Sequence, residues 1–215
     1  EIPANGLASA RRQLAEAIGR GLEEAGLAAS GLQALSTSRR LIVVAEGLPE
    51  RQPDRSERVT GPPVSAAYGK DGAPTKAAEG FARKLGLTLD RLEVDSTPKG
   101  DYLAATVLHA GRPTTEILAG LVPAVVAGLR FPKMMRWGRG EHLFVRPLHR
   151  VVALLGTEIV PFEVFGVASG RTSEGHRVHQ PGAFELTAAD GYREELARGF
   201  VVVDPEERQR AFAAA

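Results

Sequence analysis

Between residues 129 and 150 the sequence sets its single tryptophan, Trp137, among six basic side chains: Arg130, Lys133, Arg136, Arg139, Arg146 and Arg150. The only acid there is Glu141. Guanidinium and ammonium groups at that density can hold phosphates, and an indole among them offers a stacking face for a base. The same residue types also fit a structural reading, in which Trp137 anchors a core and the arginines decorate a solvated face. A second segment, Gly175-His176-Arg177-Val178-His179, spaces two histidines three residues apart. On a helix they would share a face and could ligate a metal. No third ligand stands at a suitable spacing and the surrounding sequence is Gly-rich and polar, so no metal site is expected. A structured loop whose His176 and Arg177 contact RNA or bond to backbone is the expectation.

Other chemistries find little support. Ser36 or Ser38 would need a partnered base to act as a nucleophile. The five histidines, His109, His142, His149, His176 and His179, follow no triad order. The stretch from Gly61 to Lys70 lacks the spacing of a phosphate loop, and no dinucleotide-binding glycine fingerprint is present. The chain has no cysteine, which removes disulfides, thiolate-zinc sites and a thiol nucleophile, and which fits a cytosolic protein. No catalytic residue is therefore assigned.

The elements that must carry these segments can be read from periodicity. Leu14, Ile18 and Leu22 mark the apolar stripe of a helix over 7–25, stopped at Gly26. Residues 32–46 predict a strand pair or one long strand, with Arg39 and Arg40 at its edge. The charged, Pro-rich stretch 47–63 reads as a loop. Thr75 is expected to cap a helix over 75–85 that Gly86 closes. A hairpin is expected around the turn 96–100, and Thr114 should cap a helix running to 129, kinked at Pro123. From 142 to 165 the pattern is β-rich, 166–182 reads as a long loop, Thr187 opens a helix, and 200–203 is a short strand. Asp204-Pro205-Glu206-Glu207 is a helix start, with cap, proline and first-turn acids. The mixture predicts an α+β fold: antiparallel or mixed sheets with packed helices in two lobes, 1–130 and a β-rich 131–215. The boundary follows the shift in composition.

At 215 residues, with 43% hydrophobic and 25% charged side chains, the chain can bury a sizeable core. No apolar run approaches the roughly 18 residues of a membrane span, so no membrane partner is expected. The net charge of +1 provides no general attraction for nucleic acid, so polyanion binding must come from a local patch. Twenty-two of the basic residues are Arg and five are Lys. That bias suits bidentate phosphate contacts, and it equally follows from a GC-rich genome. The opening Glu1-Ile2-Pro3-Ala4 lacks a Met and a signal-peptide core, so further sequence is expected upstream.

Several strings, in order, resemble the β-subunit family of bacterial tetrameric glycyl-tRNA synthetases. They are Glu1-Ile2-Pro3-Ala4, Thr37-Ser38-Arg39-Arg40-Leu41, Gly61-Pro62-Pro63, Pro74-Thr75-Lys76-Ala77-Ala78-Glu79-Gly80-Phe81-Ala82-Arg83 and Lys99-Gly100-Asp101-Tyr102-Leu103. The most specific are Phe131-Pro132-Lys133-Met134-Met135-Arg136-Trp137-Gly138, Phe144-Val145-Arg146-Pro147-Leu148-His149 and Gly175-His176-Arg177-Val178-His179. The chain departs from the family's usual residues at Ser38 (Pro), Arg150 (Trp) and Val178 (Phe). The resemblance covers essentially the whole chain and implies an N-terminal part of the β subunit. It implies a cytoplasmic α2β2 ligase that joins glycine to tRNA(Gly). ATP with Mg2+ would be used in the class II active site of the α subunit, so this part would hold no cofactor. Its partners would be the α subunit and tRNA(Gly). The tRNA-contacting candidates are then Arg130, Lys133, Arg136, Trp137, Arg139, Arg146, His176 and Arg177. The alternative is an assembly module that packs against the α subunit or the rest of β without touching tRNA.

Overall fold

A computed structural model describes residues 1–69, 72–98, 100–137, 140 and 142–214. They form an α+β fold in two compact units. One comprises residues 1–52 and 112–215, the other residues 53–111. The composition shift near residue 130 falls inside the larger unit.

In the larger unit, helix α1 (Ala4–Glu24) buries Gly6, Ala10, Leu14, Ile18 and Leu22, a strict every-fourth-residue stripe. It starts earlier than the stripe alone suggests, because Pro3 is suited to the entry and Gly6 N–H donates to its carbonyl at 2.9 Å. It ends where expected. Gly26 takes φ 66°, and its N–H and that of Leu27 close onto Glu23 and Leu22, each at 2.8 Å. This is the usual way a glycine ends a helix. Strands β1 (Gly31–Thr37) and β2 (Arg40–Glu46) form an antiparallel hairpin, with Thr37 opposite Arg40, so the strand pair rather than the long strand is present.

The smaller unit holds β3 (Arg55–Pro63), α2 (Val64–Ala67), α3 (Lys76–Leu85), β4 (Glu93–Thr97) and β5 (Gly100–His109). Its sheet has the order β3-β5-β4, with both neighbours antiparallel to the central β5. Residues 55–63 are thus a strand and not part of a loop. As an edge strand β3 leaves most of its side chains in water, so no apolar alternation marks it. Thr75 caps α3 by accepting from Ala77 N–H at 3.3 Å, and its hydroxyl also donates to Ala66 O at 2.7 Å. Gly86 turns left-handed at φ 67° to close the helix. The hairpin β4–β5 lies where the turn string placed it. Ala67, Ala78 and Leu103 form the buried centre, with Phe81 packed against it.

Back in the larger unit, α4 (Thr114–Gly128) is capped by Pro113, not by Thr114. Thr114 is instead the first helical residue and fully buried. Its hydroxyl donates to Pro49 O at 2.6 Å and its N–H to Glu50 O at 2.8 Å. Short pairings follow: β6 (Met135–Arg136) with β7 (Leu143–Phe144), and β8 (Val151–Val152) with later strands. The antiparallel pair β9 (Leu154–Leu155) and β10 (Glu158–Ile159) comes next. Strands β11 (Glu163–Val164) and β12 (Val167–Gly170) join β8 in a mixed three-stranded sheet, in which β12 and β8 run parallel. Strands β13 (Thr172–Glu174) and β14 (Ala183–Glu185) are antiparallel. The expected long loop therefore contains β12 and β13, each too short to show a period. The helix expected at Thr187 begins later, as α5 (Tyr192–Arg198). Residues 200–203 are not a strand. Helix α6 (Pro205–Ala213) starts as read, with Asp204 accepting from Glu206 N–H at 2.8 Å and Glu207 N–H at 3.3 Å. One core centres on α1 and α4 and includes Leu129, Phe131, Phe144 and Val145. A second groups Leu35, Ile42, Leu196 and Val203.

Candidate nucleic-acid interface

The basic segment leaves α4 by alternation. Leu129 and Phe131 are buried in the α1–α4 core, which turns Arg130 between them outwards. Gln13 of α1 clamps the backbone there. Its Oε1 accepts from Arg130 N–H, and its Nε2 donates to Arg130 O, both at 3.0 Å. The Arg130 guanidinium donates to the carbonyls of Ala127 and Leu129 at 3.3 Å each. A cation thus sits at the negative end of α4. Those bonds use one of its nitrogens and leave further donors available.

Next come Lys133 and the pairing β6–β7, in which Met135 faces Phe144 and Arg136 faces Leu143. Phe144 fixes this ribbon to the core. Its ring meets Phe131 edge-on at 5.3 Å and Phe165 at 5.5 Å, separations at which aromatic pairs attract. Trp137 is half-buried against the same core, and its indole N–H donates to Phe144 O at 3.0 Å. Lys133 and Arg136 are exposed, and among the described residues neither side chain has a hydrogen bond or ion pair. Arg146, also exposed, donates through Nε to Glu1 O at 3.0 Å. The carboxylate of Glu1 is taken by Arg39 at 3.0 Å. Arg139 lies outside the described residues.

The histidine segment follows β13. His176 N–H donates to Gly199 O at 2.6 Å. Its ring Nδ1 accepts from the N–H groups of Val178 at 3.2 Å and His179 at 3.3 Å. The two imidazoles lie 4.6 Å apart, centre to centre, in a turn rather than on a helix. Arg177 is exposed and has no polar partner among the described residues. Glu174, just upstream, pairs with Arg150 through its carboxylate and accepts from the Arg40 guanidinium through its carbonyl. That junction ties the segments holding Arg40, Arg150 and His176 together. Among the described residues no hydrogen bond, ion pair or ring contact joins His176 or Arg177 to Arg130, Lys133, Arg136 or Arg146.

Ionisation is displaced at places where structure explains it. The Arg58 guanidinium bonds Asp95, with Nε to Oδ2 at 2.9 Å, and Glu93; this holds the Asp95 carboxyl below its ordinary value. The Thr88 hydroxyl does the same for Asp90. Burial pushes Tyr192 up to about 12, and the backbone N–H of Glu206 draws Asp204 down. These are ion pairs, caps and core positions, not acid–base pairs facing each other in a cleft. Among the described residues no group of three His, Asp or Glu side chains could hold a metal. No described helix is long and apolar enough to cross a membrane. Sequence reasoning missed Phe200, whose ring lies 5.5 Å from His179. Its apolar run with Val201, Val202 and Val203 suggested a strand instead.

Fold and surface together define an α+β protein whose accessible polar chemistry in these segments is cationic and whose displaced ionisations serve structure. The model of the glycyl-tRNA synthetase beta subunit family matches residues 1–215. The chain is 44% identical over 215 residues to the glycine–tRNA ligase beta subunit of Ruegeria sp. (strain TM1040), covering 98% of this chain and 30% of that protein. It is 42% identical over 209 residues to that of Chromohalobacter salexigens, covering 97% and 30%. The identity is 44% over 192 residues to that of Oleidesulfovibrio alaskensis, covering 89% and 28%. The chain belongs to the glycyl-tRNA synthetase β-subunit family. It spans about 30% of the length of these relatives.

Proposed function

We propose that this chain is a tRNA-handling part of an α2β2 glycyl-tRNA synthetase and contributes to attaching glycine to tRNA(Gly) in the cytoplasm. Amino-acid activation with ATP and Mg2+ belongs to the α subunit, and no step of that chemistry is routed through the residues of this chain. The observation that carries the reading is the exposed Lys133 and Arg136, whose side chains have no polar partner among the described residues, just before and on a ribbon fastened to the core. An unpaired cation held on a rigid support can neutralise a phosphate without first breaking an internal ion pair. Arg130 and Arg146 extend the surface through their remaining donors, and Arg139 belongs to the same segment. Trp137, with its N–H satisfied, acts as a positioning residue that sets the ribbon. His176 and Arg177 form a second contact region.

A specific observation favours one other reading. Met135 and Leu143 are exposed apolar side chains beside Arg136, as expected if the ribbon packs against the α subunit or the rest of β. The double variant Lys133→Ala with Arg136→Ala separates the two in the assembled enzyme. The tRNA-handling reading predicts a KM for tRNA(Gly) raised about tenfold or more, at about 1 kcal/mol or somewhat more for each charge-assisted contact. Tetramer mass and tRNA-independent glycine activation should stay as in the wild type. Loss of the tetramer with an unchanged KM would support the assembly reading.

A further inference from the structure

Helix α5 ends in an unusual way. Phe200 N–H donates to Ala197 O and Val201 N–H to Leu196 O, both at 2.9 Å. This paired closure requires the first residue beyond the cap to turn left-handed, a place usually taken by glycine. Here Phe200 takes it, at φ 58°, while Gly199 stays at φ -80°. The reason lies across the chain. A Cβ on Gly199 would meet Gly175 Cα at 3.1 Å and Leu196 O at 3.2 Å, and the Gly199 carbonyl receives the His176 N–H. Close approach favours glycine at 199, and the left-handed position at 200 is taken by a bulky residue, for which that conformation is disfavoured. Burial does not explain which residue it is, because Phe200 is 61% exposed. Among the described residues Phe165, at φ 53°, shares the conformation, but its ring packs on Phe144 and the α1–α4 core. Phe165 belongs to a hydrophobic core, and Phe200 belongs to none of those described.

What Phe200 does have is company. The His179 ring lies 5.5 Å from it and the His176 ring 4.6 Å beyond that, tilted by 45° and 32°. The two N–H groups bonded to His176 Nδ1 fix that ring. Val178 in the same turn is 74% exposed. Arg177 lies between the two histidines in sequence and Arg198 ends α5 just before Gly199 and Phe200; both are exposed, and neither side chain has a polar partner among the described residues, while the Glu174 carboxylate is taken by Arg150.

We infer that His176, His179 and Phe200 form a stacking surface for unpaired nucleobases of RNA, with Arg177 and Arg198 meeting the adjoining phosphates. Exposed aromatic side chains, with cations that have no polar partner among the described residues, complement a single strand, which offers its bases and its charge together. A duplex hides its base faces. The inference rests on the tRNA-handling reading and goes beyond it by naming unpaired nucleotides as what this region holds.

The test uses the assembled enzyme as wild type, Phe200→Gly, Phe200→Trp, His179→Ala and the Lys133→Ala/Arg136→Ala pair. The probes are a labelled ten-nucleotide oligoadenylate and a fully paired RNA of the same length. Phe200→Gly and His179→Ala should weaken oligoadenylate binding about 5- to 100-fold and change duplex binding less than about twofold. Phe200→Trp should retain the oligoadenylate affinity. The melting temperature of Phe200→Gly should be unchanged or higher, because glycine accepts the left-handed conformation. Unchanged oligoadenylate binding in Phe200→Gly and His179→Ala, or none in the wild type, would overturn the inference. So would a lowered melting temperature in Phe200→Gly with both probes weakened, since Phe200 would then be a packing residue. Loss of the tetramer by Phe200→Gly with RNA affinity intact would make the stacking surface a protein-docking surface instead. The tRNA-handling reading fails separately, if the Lys133→Ala/Arg136→Ala pair leaves tRNA(Gly) binding at the wild-type level.

Discussion

At the scale of single residues, Trp137 and Thr114 show how one polar atom decides what a side chain does. The indole N–H of Trp137 is committed to Phe144 O, so its polar edge is unavailable to a ligand. Trp137→Phe keeps most of the ring packing and loses that bond. A loss of about 1 kcal/mol in urea unfolding is expected, with less than about a threefold change in tRNA affinity. A large affinity loss without a stability loss would make Trp137 a contact residue. Thr114→Val removes the buried hydroxyl that satisfies Pro49 O. It should be costlier, about 1–3 kcal/mol in the same measurement. The sequence left two readings of Trp137 open because residue type alone does not say where the N–H points. It named the cations as neighbours in sequence but could not show that the Arg130 guanidinium bonds to carbonyls at the end of α4 while the side chains of Lys133 and Arg136 have no polar partner among the described residues. The backbone at Arg130 is held by Gln13, far away in the chain, a contact that sequence does not report.

At the scale of elements, helix starts and stops with a chemical signature were legible and weakly patterned strands were not. Asp204 before Pro205, Thr75 before α3, and the closing Gly26 and Gly86 each act through local hydrogen bonds, which sequence reports directly. Strand β3 was hidden because an edge strand in water needs no alternation, and β12 and β13 because they are too short to show any. Thr114 misled because Pro113 can cap a helix by geometry alone while the threonine serves a longer-range bond. Residues 200–203 misled because a valine run suits a strand as well as a helix exit packed on Leu35 and Ile42.

Two tests belong at this scale. The Asp204 carboxyl is lowered by the N–H of Glu206. Its cap is therefore in place above the unfolded-state value near about 4 and is lost as pH falls through the lower folded value. The amide shifts of Glu206 and Glu207 should titrate below about pH 4. In Asp204→Asn, which caps without titrating, they should not. In the smaller unit, a Cβ on Gly61 would lie 2.6 Å from the Phe81 ring. Gly61→Ala should destabilise the protein by about 1–3 kcal/mol, and adding Phe81→Leu should recover part of the loss, both read by urea unfolding.

At the scale of the whole molecule, a net charge of +1 means that RNA affinity must come from local surfaces. The strings that identify the family divide by what they build. In the smaller unit Ala78 and Leu103 are in the core with Phe81 packed on it, Gly61 makes room for the Phe81 ring, and Thr75 caps α3. In the larger unit Arg40, Arg150 and His176 are drawn together around Glu174, while Lys133 and Arg136 face water. The α+β class was legible from the mixture of hairpins and helices. The discontinuous larger unit was not, because residues 112–114 return to 50–52 through backbone bonds that leave no compositional trace.

The most direct test of the central claim is tRNA(Gly) affinity of the assembled enzyme across a salt series, wild type against Lys133→Ala/Arg136→Ala. If these side chains hold phosphates, the logarithmic salt slope should become shallower by about 1 for each contact removed, so by about 2 in the double variant. The affinity at low salt should fall with it. An identical slope and affinity in the two proteins, both folded and tetrameric, would contradict a tRNA-handling role for this surface.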